Sequence, residues 1–271
     1  MSKSLSSYRY LLLRRLTQTV ILVLFVLASS KVVNVLNGDF SFALFLDKLP
    51  LADPYAVLQM FFAGAKITID VLIGAGIVFF FYALLAGRVF CSWVCPVNMV
   101  TDLAGFLRRK WKIGESGGSR NWPRSIRYWA FALGLILSLV FGMTAFEMIS
   151  PIGIFHRGII YGMELGWFVI VGLFLFDLLV LKNGFCGHIC PLGGFYSATT
   201  RFSLLRVRHI KDACTLCMLC KDVCPEKQVL HLVGKKDGIV ESGECTNCGR
   251  CVEVCDDDSL KFGIRSSKKF K

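Results

Sequence analysis

Acidic residues are scarce in this chain, and where they are missing matters. There are 19 Asp and Glu against 31 Lys and Arg, a formal charge of +12. Ten of those acids, with only eight of the bases, fall between His209 and Arg265. The rest of the chain carries the whole positive excess. A basic chain invites a nucleic-acid reading, but the bases cluster beside apolar runs and form no separate basic domain, which excludes that partner. There is no Cys-x-x-Cys-His, so no c-type haem is attached. Nothing in the sequence offers molybdenum ligands or a pocket for a small oxyanion. Polar faces are missing too: 55% of residues are hydrophobic and mean hydropathy is +0.59, too apolar for an ordinary soluble enzyme of this length.

Four apolar stretches account for that excess: about Leu16 to Val35, Ile67 to Ala86, Tyr128 to Phe146 and Leu165 to Leu181. At about 1.5 Å per residue, each helix can cross a hydrocarbon core of about 30 Å. None has the polar face of a soluble bundle helix. The first continues through Val32, Val33, Val35 and Leu36, longer than a signal peptide's apolar region, and is expected to remain uncleaved. Lys3, Arg9, Arg14 and Arg15 precede the first span, and eight bases from Arg88 to Arg127 lie between the second and third. The outer loops hold little more than Lys48 and Arg157. The positive-inside rule then puts both termini in the cytoplasm.

The chain is rich in cysteine, with twelve. Eight form two runs of one spacing: Cys214-x2-Cys217-x2-Cys220-x3-Cys224-Pro225 and Cys245-x2-Cys248-x2-Cys251-x3-Cys255. Three thiolates at this spacing wrap three corners of an iron–sulfur cube, and the fourth of each run ligates the other cube. The expected sets are Cys214, Cys217, Cys220 and Cys255 for one [4Fe–4S] cluster, and Cys245, Cys248, Cys251 and Cys224 for the second. Zinc or a disulfide knot are the alternatives; cytoplasmic placement argues against disulfides. Cys255 is followed by Asp256, Asp257 and Asp258 where the first run has Pro225. Their charge would lower a nearby potential, so the clusters are expected to be unequal.

The remaining cysteines form a duplicated motif, Phe90-Cys91-x3-Cys95-Pro96 and Phe185-Cys186-x3-Cys190-Pro191, each closing a span. If the helix persists, thiols at i and i+4 share a face, and the proline then ends it. Cys91, Cys95, Cys186 and Cys190 could hold a third metal or iron–sulfur centre, act as redox dithiols, or simply pack. His188 is expected only as a hydrogen-bond partner. Val97 to Trp111 and Leu192 to Arg208 read as amphipathic stretches on the inner membrane surface. Leu49 to Pro54 reads as an outer-surface turn offering a docking surface to a partner.

The expected fold is thus an α-helical polytopic membrane protein with four transmembrane helices and a duplicated two-helix repeat, residues 1–208. A C-terminal α+β two-cluster ferredoxin-like domain, 209–265, and a basic tail, 266–271, follow.

This combination resembles the NapH family, membrane ferredoxin-type subunits of periplasmic nitrate reductase systems. The carrying signatures include Leu13-Arg14-Arg15-Leu16, Cys91-Ser-Trp-Val-Cys-Pro-Val-Asn98, Ile126-Arg127-Tyr128, Leu175-Phe-Asp-Leu-Leu-Val180 and Cys186-Gly-His-Ile-Cys-Pro191. The cysteine motifs alone are shared with polyferredoxins of nitrous oxide reduction, methylamine use and oxidase assembly. The resemblance implies a quinol dehydrogenase component in the bacterial inner membrane. It would take electrons from ubiquinol or menaquinol and pass them through a NapG-type periplasmic iron–sulfur protein and a NapC-type multihaem cytochrome. Alternatives are a redox factor for metalloenzyme assembly, or a donor subunit of a nitrous oxide or methylamine system. A quinol site needs an apolar slot and proton acceptors. Glu147, His156 and Glu164 qualify, or are ordinary interface residues. Asp70 and Asp177 fall inside expected spans, where an ionised group costs roughly 2.5–3.5 kcal/mol; both could equally be hydrated structural contacts.

Overall fold

The computed structural model describes residues 8–32, 35–113, 122–162 and 166–265. They form two compact units, each assembled from separated stretches.

The first unit draws on residues 8–17, 81–94 and 196–265. Its sheet has β4 (Leu205–His209) at the centre, antiparallel to β6 (Leu260–Ile264) along its whole length and to β5 (Gly238–Ile239) at one end. β4 straddles residue 208, so the ferredoxin-like sheet begins before that boundary. Short helices α10 (Leu219–Val223) and α11 (Arg250–Glu253) lie within the two cysteine runs and carry their third cysteines, Cys220 and Cys251. Val207, Val229, Leu230, Leu232, Val233, Val240 and Leu260 pack around buried cysteines of both runs. The start of helix α1 (Arg9–Ser29) belongs here: Tyr10 stacks edge-on against Phe262 at 5.3 Å, and the Leu11 N–H donates to Glu253 at 2.7 Å.

The second unit comprises residues 18–80 and 95–195. Among the described residues, α1, 21 residues long, is the one helix long and apolar enough to cross a membrane. The other expected spans form shorter apolar helices. α3 (Ile69–Phe80) runs into a π-turn at Phe81–Ala86, and α8 (Gly166–Leu175) into one at Phe176–Val180. α5 (Ile126–Phe141) ends at a left-handed Gly142 whose N–H returns to the Ser138 carbonyl, short of the expected Phe146.

Between α1 and α3 lies a three-stranded antiparallel sheet, β1 (Leu36–Gly38), β2 (Phe42–Phe45) and β3 (Leu49–Ala52). Leu49–Ala52 is therefore a strand and not the surface turn its proline suggested. Pro50 is tolerated because β3 is an edge strand. Asp53 caps α2 (Pro54–Phe62) by accepting from the Tyr55 N–H, with Pro54 at the first helical position. Tyr55 is fully buried; its hydroxyl donates to the Phe131 carbonyl at 3.3 Å and its ring meets Phe131, Phe146 and Phe195. Only glycine fits at 134, where a Cβ would lie 2.2 Å from the Tyr55 oxygen.

The two surface stretches fare differently. α4 (Val97–Lys110) buries Val97, Thr101, Ala104 and Gly105 and ends in Arg108, Arg109 and Lys110, amphipathic as expected. The stretch from Leu192 is not one amphipathic helix. α9 (Pro191–Thr199) is buried from Pro191 to Ser197, with Phe195 packed on Tyr55, Phe79 and Phe131. The chain then turns through Thr200–Phe202 into β4. Every residue from 191 to 197 is buried, which leaves no wet side to lie on a membrane surface.

Candidate functional site

The two C-terminal cysteine runs adopt one backbone conformation. Leu216 and Met218 in the first, and Asn247 and Gly249 in the second, all have positive φ, between 47° and 78°. Such alternation turns successive N–H groups inward, as in the nests that bind anionic clusters. Left-handed Leu216 and Met218 each cost about 1–2 kcal/mol, so the loop shape is imposed by the fold and not by local preference. At Gly249 the need is absolute, because a Cβ would lie 2.5 Å from the Tyr10 ring.

The fold crosses the runs. Cys224 of the first lines a pocket together with Cys245, Cys248 and Cys251 of the second. Cys255 of the second run lies close enough to Cys220 to act on its charge, along with Cys217 and Cys214. Burial pushes the thiols of Cys220 and Cys251 up, and that of Cys245 up to about 11. Free thiols here would stay neutral, and iron would draw off their protons. All twelve cysteines are free of disulfides. Four sulfurs around one pocket, with inward N–H groups, fit an iron–sulfur cube.

The duplicated motif is repeated in the backbone as well as in the sequence. Phe90–Val94 and Phe185–Ile189 are both π-turns, following the π-turns Phe81–Ala86 and Phe176–Val180. Such turns are rare and concentrate at functional sites. The regular helix expected through the motif does not persist. The second cysteine of each pair falls one residue beyond the π-turn, and in the second motif the Cys190 N–H bonds the Phe185 carbonyl, five residues back, at 2.9 Å. Cys91 and Cys186 are partly exposed, whereas Cys95 and Cys190 are buried. Cys91 belongs to the first unit and Cys95, Cys186 and Cys190 to the second.

The first motif is fastened to the second cysteine run. The Ser92 hydroxyl donates to the Thr246 carbonyl at 2.7 Å and the Trp93 indole to the Asn247 carbonyl at 3.1 Å. Arg88 forms a buried ion pair with Glu226, next to Cys224-Pro225, at 3.1 Å. In the second motif Asp177, fully buried, accepts from the Phe185 N–H at 3.0 Å, and Arg108 donates to the carbonyls of Asp177 and Leu178. Asp177 thus shapes the second motif. Buried His188 lies within that motif.

The other sequence candidates separate clearly. Asp70 is exposed in the first turn of α3. Glu164 and the tail 266–271 lie outside the described residues. Glu147, on α6 (Ala145–Ile149), accepts from the Ser41 hydroxyl. His156, on α7 (Pro151–Tyr161), is 1% exposed and stands edge-on to Phe25 at 4.5 Å and to Phe40 at 4.8 Å. Neither of its ring nitrogens has a hydrogen-bond partner among the described residues. Burial lowers the His156 pKa and raises that of Glu147; Asp39 raises both, and Arg157 lowers both. Sequence reasoning missed Ser41, Asp39 and the cationic pair Arg88 and Arg206. For Arg88 a signal existed: it precedes the first motif, where the second has Asn183.

A family model described as a 4Fe-4S binding domain matches residues 67–114 and again 163–211, one match over each repeat. A 4Fe-4S dicluster domain model matches residues 206–256. The chain is a ferredoxin-type iron–sulfur protein of electron transport. It is 42% identical to the ferredoxin-type protein NapH of Haemophilus influenzae over 95% of this chain and 90% of that one. It is 39% identical to NapH of Escherichia coli, over 98% and 93%. Identity to the methylamine utilization ferredoxin-type protein MauN of Methylorubrum extorquens is also 39%, over 96% and 91%. The chain belongs to the family of NapH-like ferredoxin-type proteins. No solved structure matches it.

Proposed function

We propose that this chain is a four-span subunit of the bacterial inner membrane that oxidises ubiquinol or menaquinol and passes the electrons on singly. Its termini and ferredoxin-like domain face the cytoplasm, in keeping with the basic residues beside the spans. Cys214, Cys217, Cys220 and Cys255 hold one [4Fe–4S] cluster, and Cys245, Cys248, Cys251 and Cys224 the other. When bound, the clusters supply one-electron acceptance. Cys91, Cys95, Cys186 and Cys190 form a third metal or iron–sulfur centre, a reading supported by the domain match over each repeat. The acceptors are a NapG-type periplasmic iron–sulfur protein and a NapC-type cytochrome, leading to periplasmic nitrate reductase.

The observation that carries quinol oxidation is His156. A buried imidazole beside two aromatic rings, with no hydrogen-bond partner among the described residues, is placed to take a proton from a hydroxyl that slides between those rings. Glu147 beside Ser41 is the second acceptor. Oxidation of one quinol breaks two O–H bonds, releasing two protons to these groups and two electrons to the clusters. The 39% identity to the methylamine utilization protein favours a second reading, in which the same machinery feeds a methylamine system.

The test is anaerobic reduction of the purified, cluster-loaded protein by menaquinol or ubiquinol, followed by EPR. Cluster reduction in wild type, with at least tenfold slowing in His156→Gln at unchanged cluster content, is expected. Clusters that stay oxidised under both quinols would end the dehydrogenase reading.

A further inference from the structure

A buried guanidinium lies beside the second cysteine run and a carboxylate holds the loop of the first. Arg206, on β4, is fully buried, and its guanidinium donates only to carbonyls: Ser203 at 3.3 Å, Ser242 at 2.8 Å and Thr200. No carboxylate pairs with it in any hydrogen bond or ion pair among the described residues. Glu241, which acts on it from a distance, is exposed and is opposed by Arg265. The bond from Arg206 to the Ser242 carbonyl, three residues before Cys245, sets its charge beside the second run. Arg88 also stands at this loop, donating to the Glu244 carbonyl at 3.4 Å, but Glu226 balances it at 3.1 Å. Arg206 is therefore a buried cation beside the second run with no carboxylate partner among the described residues.

The first run meets the reverse. Asp257 accepts from both the N–H and the hydroxyl of Thr215, at 3.2 and 2.5 Å, and so sits on the loop between Cys214 and Cys217. Asp258 is offset by Lys261 at 3.2 Å, which leaves Asp256 and Asp257 as the local anionic excess.

We infer that Arg206 and Asp257 set the potentials of the two clusters apart, so that the cluster at Cys245, Cys248, Cys251 and Cys224 is reduced first. A nearby buried cation stabilises the extra electron and a carboxylate opposes it. Reduction adds one electron to a [4Fe–4S]2+ cluster, giving the 1+ state, and moves no proton. The first electron then rests on the cluster whose binding loop Ser92 and Trp93 hold, next to Cys91. This rests on the ligand sets proposed above.

An EPR-monitored potentiometric titration of the purified, loaded full chain with dithionite and mediators decides it. Wild type gives two separate one-electron waves. Arg206→Gln shifts the higher wave down by about tenfold in the reduced-to-oxidised ratio at fixed potential, about 59 mV, and Arg206→Lys retains most of it. Asp257→Asn, at a more exposed position that tolerates change, shifts only the lower wave upward. A single wave carrying both electrons overturns the inference. So does an Asp257→Asn shift confined to the higher wave. Iron and sulfide short of two cubes in wild type would instead sink the ligand assignment.

Discussion

Arg88 and Glu226 face each other at 3.1 Å with 1% and 4% of their side chains exposed. One precedes the first Cys-x3-Cys-Pro motif; the other follows Cys224-Pro225. The pair locks the segment Phe81–Val94 to the iron–sulfur fold within one unit. A buried pair gains little over apolar packing, but removing one partner strands the other charge at a cost of about 3–5 kcal/mol. Arg88→Met or Glu226→Leu alone should therefore lower the thermal midpoint and iron content of the purified protein. The double variant should recover much of the loss. Equal damage from the single and double variants would rule out the pairing as the cause.

Gly249→Ala tests the shape of the cysteine loop. Alanine at φ +78° is strained, by about 1–2 kcal/mol, and its Cβ would press on Tyr10. The expected result is selective loss of one cluster signal with the other retained. Tyr10→Ala should relieve the contact but not the backbone strain, so the double variant recovers only in part.

The shifted acceptors at His156 and Glu147 predict a pH dependence with a definite sign. The lowered His156 pKa means the unfolded chain binds more protons just below its ordinary value of about 6.5. Stability is then lost as pH falls through that value. Glu147 works the other way: its folded pKa is raised, so stability is lost as pH rises from about 4.3 through the raised value. His156→Gln should flatten the thermal midpoint below about pH 6.5, and Glu147→Gln should flatten it above about pH 4.3. A wild-type midpoint that rises as pH falls from 7 to 5.5 while the His156→Gln midpoint stays flat would reverse the sign for histidine.

How much of this was readable beforehand varies with the physics behind each element. The iron–sulfur character of the cysteine runs was legible because ligand spacing is a local property. The π-turns were not, since a one-residue widening leaves no mark in hydrophobic periodicity. Nor was the β1–β3 sheet: its strands are three or four residues long, and Pro50 and Asp53 look like turn residues until α3 covers them. Asp177 could be seen as costly within an apolar run, but its backbone partner at Phe185 could not. Arg206 looked like one more basic residue, because only the fold withholds its carboxylate.

The asymmetry within each Cys-x3-Cys-Pro pair gives the last prediction. Cys91 and Cys186 are partly exposed and Cys95 and Cys190 are buried, so thiol reactivity reports what the four sulfurs do. If they hold a metal centre, all four resist alkylation in the loaded protein, and chelation exposes Cys91 and Cys186 first. If they merely pack, the exposed pair reacts at once and the buried pair only on unfolding. Replacing all four by serine should lower iron per chain while the EPR signals of the C-terminal clusters persist. Unchanged iron with unchanged electron flow would remove the third centre, and the π-turns would then serve only to end the helices.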